Sequence, residues 1–237
     1  GLPAAAMASL DAAQVAAIAP ASLATLSNAQ LGALTAAQLA NVTATQIDAL
    51  TAAQITALGA DVAGLPAAAM ASLDAAQVAA IAPASLATLS NAQLGALTGA
   101  QVGALTASQI DALTPAQIAA LGTDIGSLSN AALASLDAAQ IGALTAAQVA
   151  ALTPAQVASL SDAQVAGFTA SNADALTAAQ LNAMATAGHI DGLTVAAVAA
   201  IPAATVGAVA PATVAALTDA QLGALTGAQV GALTASQ

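Results

Sequence analysis

Large apolar residues recur along this chain in a fixed eight-residue phrase. Residues 143–165 read ALTAAQVAALTPAQVASLSDAQV, three near-copies of the pattern L-[TS]-x-A-Q-V-x-[AS]. If the residue before the Thr or Ser is position 1, large apolar side chains occupy positions 1 and 6. Thirty such units, called octads below, begin at Leu2 and continue to Leu233, and the last is truncated. The chain is therefore built from one short repeated unit.

Three octads of unusual length reveal a longer repeat. The octads at 58–64 and 121–127 have seven residues, and the octad at 184–192 has nine, so an irregular octad occupies every eighth place. Residues 1–35 also recur unchanged at 64–98. We interpret residues 1–237 as one continuous array, a fragment of a longer repetitive chain. Its super-repeats lie at residues 2–64, 65–127, 128–192 and 193–237, the last truncated.

Each octad carries its own helix-start signal. In the phrase L-T-P-A-Q-V the Thr can cap a helix, and the Gln three residues later can reach back to the cap amide, which is a capping box. All 18 Gln stand at position 5, and all eight Pro stand at position 2 or 3, where a helix needs no backbone N–H. The pattern predicts one helix of about six or seven residues in each octad.

A continuous helix and a β-strand both fit this period poorly. Eight residues at about 100° each carry a straight helix about 80° beyond two turns, so the apolar stripe would circle the helix within a few octads. Positions 1 and 6 would point to opposite faces of a strand. The sequence therefore predicts an all-α solenoid, whose very short helices must stack because a helix of this length is marginal alone.

The aspartates indicate how many helices complete one coil of the solenoid. Ten of the 11 Asp fall in even-numbered octads, and only Asp162 falls in an odd one. A coil of two helices would place those ten on one side of a two-layer rod. Eight octads per super-repeat also divide evenly by two and not by three. The sequence thus favours two helices per coil.

Composition limits the partners of the chain. The 237 residues include no Lys, Arg or Cys and carry a net charge of −11, all from Asp. Nucleic acid and anionic membrane surfaces are poor partners for such a chain, because phosphate contacts need cationic side chains. Polar residues also interrupt each apolar run well before the roughly 18 residues that a transmembrane helix needs, so we expect no membrane insertion.

Candidate chemistry is sparse, and we expect no enzyme activity and no catalytic, cofactor or metal residues. His189 is the only histidine; Asp191 is near it, but no second base or nucleophile is, so we interpret it as a corner residue. Asp61, Asp124 and Asp191 occupy the irregular octads and are candidates for weak divalent-cation binding, calcium included. Solvated charges are the simpler interpretation, since calcium prefers a dense set of oxygen ligands. Asn41 begins an Asn-Val-Thr glycosylation sequon.

The tandem LTxAQ[VIL]xA octads resemble arrays in very large bacterial proteins that are described as adhesin-like or surface-associated. The resemblance covers nearly the whole chain. It implies a structural role at the cell surface or outside the cell, and it supplies no catalytic residues.

Three kinds of function are consistent with these observations. We favour a structural homopolymer that forms an extracellular filament, fibre or sheath. Positions 3, 4 and 7 are mostly Ala or Gly, so a solitary array would expose more apolar surface than a monomer usually does. The alternatives are a passive stalk or spacer of a giant adhesin, and a repetitive face that binds ice or a glycan. The expected partner is another copy of the chain, packed laterally or end to end.

Overall fold

The computed structural model describes residues 3–237, and within them nearly every octad forms one short α-helix. The described residues contain no β-strand, so the predicted all-α class is confirmed. Most helices have four to six residues, fewer than predicted. The difference arises because each octad also uses an extended N-cap, such as Thr145 with φ −72° and ψ 157°, and a corner after the helix.

Contacts between residues divide the chain into two compact units, of which the first comprises Gly1–Leu121 and Ser127–Ser129. It contains one 3₁₀ helix, Gly59–Gly64, between α7 and α8. Its α-helices are α1 (Ala4–Met7), α2 (Ala12–Ala16), α3 (Pro20–Leu23), α4 (Asn28–Leu31), α5 (Ala36–Leu39), α6 (Ala44–Asp48), α7 (Ala52–Ala57), α8 (Ala67–Ser72), α9 (Ala75–Ala79), α10 (Pro83–Leu86), α11 (Asn91–Leu94), α12 (Gly99–Gly103), α13 (Ala107–Asp111) and α14 (Pro115–Ala120).

The second unit comprises Gly122–Gly126 and Asn130–Gln237. Its 3₁₀ helices are Ile190–Gly192 and Gly122–Ser127, of which the last residue, Ser127, belongs to the first unit. Its α-helices are α15 (Asn130–Leu133), α16 (Ala138–Gly142), α17 (Ala146–Ala151), α18 (Pro154–Ala158), α19 (Asp162–Val165), α20 (Ala170–Ala173), α21 (Ala178–Ala187), α22 (Val195–Ala200), α23 (Ala203–Ala208), α24 (Pro211–Ala215), α25 (Asp219–Gly223) and α26 (Gly227–Ala232).

Three octads complete one coil in each unit. In the first unit α1 packs on α4, α2 on α5 and α3 on α6; in the second α16 packs on α19, α17 on α20 and α18 on α21. The neighbour in the next coil is therefore the third octad along the chain. The expectation of two helices per coil was wrong.

The aspartate pattern misled because it reflects copying of the super-repeat rather than the geometry of the coil. Asp48 and Asp111 are eight octads apart, and eight is not a multiple of three, so they lie on different sides of the coil in the first unit. Even-numbered octads visit every side of a three-helix coil in turn. The aspartates therefore do not gather on one side.

Positions 1 and 6 fill the interior of most coils, whereas Leu222 and Val230, at position 6 of the octads from 217 to 232, are 39% and 53% exposed. In the octad at 97–104, Leu97 is 3% exposed and Val102 is fully buried. Position 1 directly precedes the N-cap and position 6 lies four residues after it, as Leu97 and Val102 do around Thr98, and both side chains point inward. This part of the sequence pattern is confirmed.

The irregular octads use backbone conformations that the regular octads lack. Gly59 and Gly122 have φ of 57° and 60°, in the left-handed region that favours glycine, and each opens a 3₁₀ helix in a seven-residue octad. In the nine-residue octad α21 continues for ten residues and ends at Gly188, with φ 85°. Two octads thus share one helix there, unlike the prediction. No helix in residues 3–237 is long and apolar enough to cross a membrane.

Glycine at position 7 allows neighbouring coils to approach closely. A Cβ added to Gly32 would lie 2.7 Å from the carbonyl oxygen of Ala57 in the next coil, but a Cβ added to Gly223 would meet nothing within 4 Å. Both glycines occur in the same local sequence, AQLGAL. Only the contact with another coil distinguishes them.

We expect Gly32→Ala to lower the free energy of unfolding by about 1–3 kcal/mol, because the methyl group must displace a backbone carbonyl. The matched control is Gly223→Ala, which should be neutral or stabilise by up to about 1 kcal/mol through helix propensity. Urea unfolding followed by circular dichroism measures both. Equal changes in the two variants would contradict the close approach.

Candidate functional site

The most frequent polar arrangement in the structure begins with the capping box at each helix start. In the octad at 105–112 the backbone N–H of Thr106 donates to Oε1 of Gln109 at 2.9 Å, and the backbone N–H of Gln109 donates to Oγ1 of Thr106 at 3.3 Å. The Thr106 hydroxyl also donates to Oε1 of Gln109 at 3.2 Å. The glutamine side chain is therefore folded back over the first turn of its own helix.

The amide NH₂ group of the same glutamine reaches the preceding coil. Nε2 of Gln109 donates to the carbonyl oxygens of Val78 at 2.9 Å and Ile81 at 2.7 Å. These carbonyls lie at the end of α9 and in the corner after it, where a helix leaves carbonyls without an intrahelical partner. One side chain, only 1% exposed, thus satisfies donors at the start of one helix and acceptors at the end of another. We call this arrangement the glutamine bridge.

The glutamine bridge recurs through both units. The capping box predicted from the sequence is present in every helix with Gln at position 5, as in α5, α12, α18 and α26. Asn172 replaces the glutamine in α20, and its Nδ2 donates to the carbonyls of Ile141 and Leu144. Within the described residues no buried side-chain nitrogen or oxygen lacks a hydrogen-bond partner. Other bridges with donors to the preceding coil are made by Gln38, Gln46, Gln54, Gln77, Gln93, Gln101, Gln117, Gln164, Gln180, Gln221, Gln229 and Gln237.

His189 lies in the corner between α21 and the 3₁₀ helix that follows. This position agrees with its interpretation as a corner residue. Its Nδ1 is 2.5 Å from Oδ1 of Asp162, which belongs to the preceding coil, and Asp191 is not its partner. The two side chains are 32% and 67% exposed. A polar contact this exposed contributes little to stability.

The three aspartates of the irregular octads each lie in the first turn of a 3₁₀ helix. Oδ1 of Asp61 accepts a hydrogen bond of 2.8 Å from the backbone N–H of Ala36, the first residue of α5 in the preceding coil. Asp61 therefore caps a helix from outside its own octad. In residues 3–237 no three His, Cys, Asp or Glu side chains are grouped closely enough to hold a metal ion.

The sequon at Asn41 occupies the corner between α5 and α6. Asn41 is exposed, whereas the next residue, Val42, is 3% exposed. The third residue, Thr43, is the N-cap of α6, and its hydroxyl donates to Oε1 of Gln46 at 3.1 Å. The sequon threonine thus has a structural role in the capping box.

Two glutamines in identical local sequences allow the stability contribution of the bridge to be measured apart from that of the cap. Residues 11–23 and 74–86 both read DAAQVAAIAPASL. Gln14 forms only the capping box and is exposed, whereas Gln77 forms the same box and donates to the carbonyl of Leu50 at 2.5 Å. We expect Gln14→Ala to lower the free energy of unfolding by about 0.5–2 kcal/mol, the value of a cap. Gln77→Ala should cost about 1–3 kcal/mol more, because buried carbonyls lose their donor.

Urea titrations of the two alanine variants test this difference. A similar loss in both would show that the bridge adds nothing to the cap.

Glutamate at the same two positions keeps the acceptor oxygen of the glutamine side chain and removes its NH₂ donor. A carboxylate can still cap the helix, so Gln14→Glu should be tolerated. In Gln77→Glu the carboxylate would face the carbonyl oxygens of Ile47 and Leu50, which raises its pKa in the folded state. The loss of stability should therefore be complete above that raised pKa and shrink as the pH falls through it.

Unfolding free energies of both glutamate variants and the parent chain at pH 7 and pH 5 measure the effect. A penalty for Gln77→Glu that is independent of pH, or greater at pH 5, would contradict the orientation of the amide.

Two consecutive segments of the chain, residues 86–123 and 123–154, match a family model described as the ALTTAQ repeat. A comparison with curated proteins finds no match. The matched segments abut, and each covers several octads of the short-helix coil described above. Together the tandem match and the repeated coil identify a helical tandem-repeat protein.

Proposed function

We propose that this chain is a structural protein that self-associates into an extracellular or cell-surface filament, fibre or sheath and performs no catalysis. The observation that carries the proposal is the chemistry of the outer surface. Its placement outside the cell rests on the resemblance of the octads to arrays in surface-associated bacterial proteins. Labelling of intact source cells with an antibody against the chain tests that placement.

Alanine is the most frequent residue type on the outer surface of the described chain. In the second unit the exposed residues of α17 and α18 include Ala146, Ala147, Ala150 and Ala155. The capping hydroxyls are occupied within the chain, since Oγ1 of Thr145 donates to Oε1 of Gln148 at 3.2 Å. Few outward groups are therefore left to hold water strongly.

Charge does little to oppose contact between copies at physiological salt. The chain carries 11 charged side chains in 237 residues, whereas about 25% of the residues of a typical soluble domain are charged. All of them are negative, so copies repel at low ionic strength, and the repulsion is screened over about 8–10 Å near 0.15 M salt. Contact between alanine faces then removes apolar surface from water. Association should accordingly increase with salt.

Exposed alanines of α17 and α18 provide the test. Ala147→Asp with Ala155→Asp adds charge at the start of two helices, where an acidic residue suits the helix dipole and should not disturb folding. We expect this double variant to keep its circular dichroism spectrum and lose most of its assembly in sedimentation and electron microscopy. The matched control, Ala147→Ser with Ala155→Ser, should still assemble.

The bonds between coils favour a second candidate, the passive stalk. Glutamine bridges join each coil to the next in a repeated manner, which suits a spacer that must not collapse. If the chain is a stalk, it should stay monomeric in dilute solution at all salt concentrations. Sedimentation of the parent chain with that outcome would reject the filament and favour the stalk.

A further inference from the structure

One coil of the second unit has no glutamine bridge to the coil before it. Its three octads, at residues 193–216, carry Ala197, Thr205 and Thr213 at position 5. With the preceding octad at 184–192 they form the only run of more than two octads in the chain that lack Gln or Asn at this position. We call this segment the unbridged coil, and residues 168–192 the coil before it.

The helix caps of the unbridged coil are also incomplete. Thr194 accepts from the backbone N–H of Ala197 at 3.1 Å, but no glutamine completes the box. Pro202 and Ala210 occupy the other two cap positions, and neither makes a side-chain cap bond. Both the start of each helix and the contact with the coil before it therefore lack the interactions that recur elsewhere.

The interior is less well filled at the same place. Valine occupies position 6 of all three octads, as Val198, Val206 and Val214, and also position 1 of the third, as Val209; the octads at 144–167 share only the position-6 valines. A cavity of about 30 Å³ lies among these valines and is lined only by apolar surface. An unfilled apolar cavity weakens packing because its lining loses contact atoms.

Two sets of hydrogen bonds partly replace the missing bridges. Nε2 of Gln221 donates to the carbonyls of Ile190 at 3.0 Å and Asp191 at 3.2 Å, both in the coil before the unbridged coil. Oδ1 of Asn182, in α21, accepts from the backbone N–H of Ala210 at 2.9 Å and from Oγ1 of Thr213 at 2.7 Å. On its other side the unbridged coil is held normally. Gln229 donates to the carbonyls of Val198 and Ile201 there, Gln221 donates to that of Leu193, and Gln237 donates to those of Val206 and Val209. The weak interface is thus confined to one side.

We propose that the contact between the unbridged coil and the coil before it is a built-in opening point. Hydrogen bonds between coils span at most 31 residues, so each coil is stabilised only by its neighbours. Residues 193–237 are bridged to one another and open together, with loss of the bonds that Gln221 and Asn182 make across the contact, while the bridged coils before residue 193 stay folded. In a load-bearing fibre or stalk this contact would yield first. The opening itself does not depend on the proposed function.

Hydrogen exchange followed by mass spectrometry on the full chain, at a concentration where it is monomeric, tests the proposal. Amides in residues 193–237 should exchange at one common rate, at least about tenfold faster than amides in residues 143–192, as expected for the loss of one or two net hydrogen bonds. The change in rate should fall near residue 193. Because the measurement is made on the monomer, failure of the filament proposal would not alter this result.

Restoring one bridge provides the matched comparison. Ala197→Gln supplies the missing partner for the Thr194 cap and should slow exchange of residues 193–237 at least about threefold. Ala196→Gln adds the same side chain at the adjacent exposed position and should leave the rate unchanged. If Ala197→Gln loses its helical circular dichroism, Thr205→Gln takes its place with the same expectation.

Two outcomes would overturn the opening point. Exchange that increases steadily toward Gln237, with the octads at 217–237 fastest, would show ordinary fraying of a chain end. Equal rates in residues 143–192 and 193–237, or equal effects of the glutamines at positions 196 and 197, would show that the missing bridges have no consequence.

Discussion

The bridge made by the glutamine at position 5 is the interaction on which the rest of this structure depends. A helix of four to six residues leaves most of its amide donors and carbonyl acceptors without partners inside the helix. The Gln109 side chain accepts from the N-cap of α13 and donates to two carbonyls of the preceding coil. The same group therefore starts a helix and joins it to its neighbour, so local and tertiary structure form together.

The small side chains of the chain follow from this arrangement. An amide of fixed length must reach the carbonyls of the preceding coil, so the helices have to lie close together. Gly32 approaches the carbonyl of Ala57 in the next coil so closely that a methyl group would not fit. Alanine at the outer positions then leaves a surface with few charges and few free polar groups. That surface is the basis of the proposed self-association.

The recurrent polar side chains of the described residues have structural partners. The recurrent polar side chains are Thr, Ser and Gln, and the capping box and the bridge occupy them. His189 and Asp162 form an exposed pair, and Asp61 caps α5. The octads differ in how many of these bonds they make, and those at 193–216 carry Ala197, Thr205 and Thr213 where most others have Gln.

The sequence by itself determined the octad, the start of each helix and the residues that are buried. These features depend on contacts within about five residues, such as Thr106 with Gln109, and an eight-residue period displays them directly. It did not determine the three octads of a coil, because every octad looks alike whichever octad it packs against. It also gave no sign of the Asp61 cap on Ala36 or of the pair between His189 and Asp162, whose partners are 25 and 27 residues apart. Only the tertiary structure decided these contacts, since a repeated sequence specifies the shape of its unit more strongly than the register in which units stack.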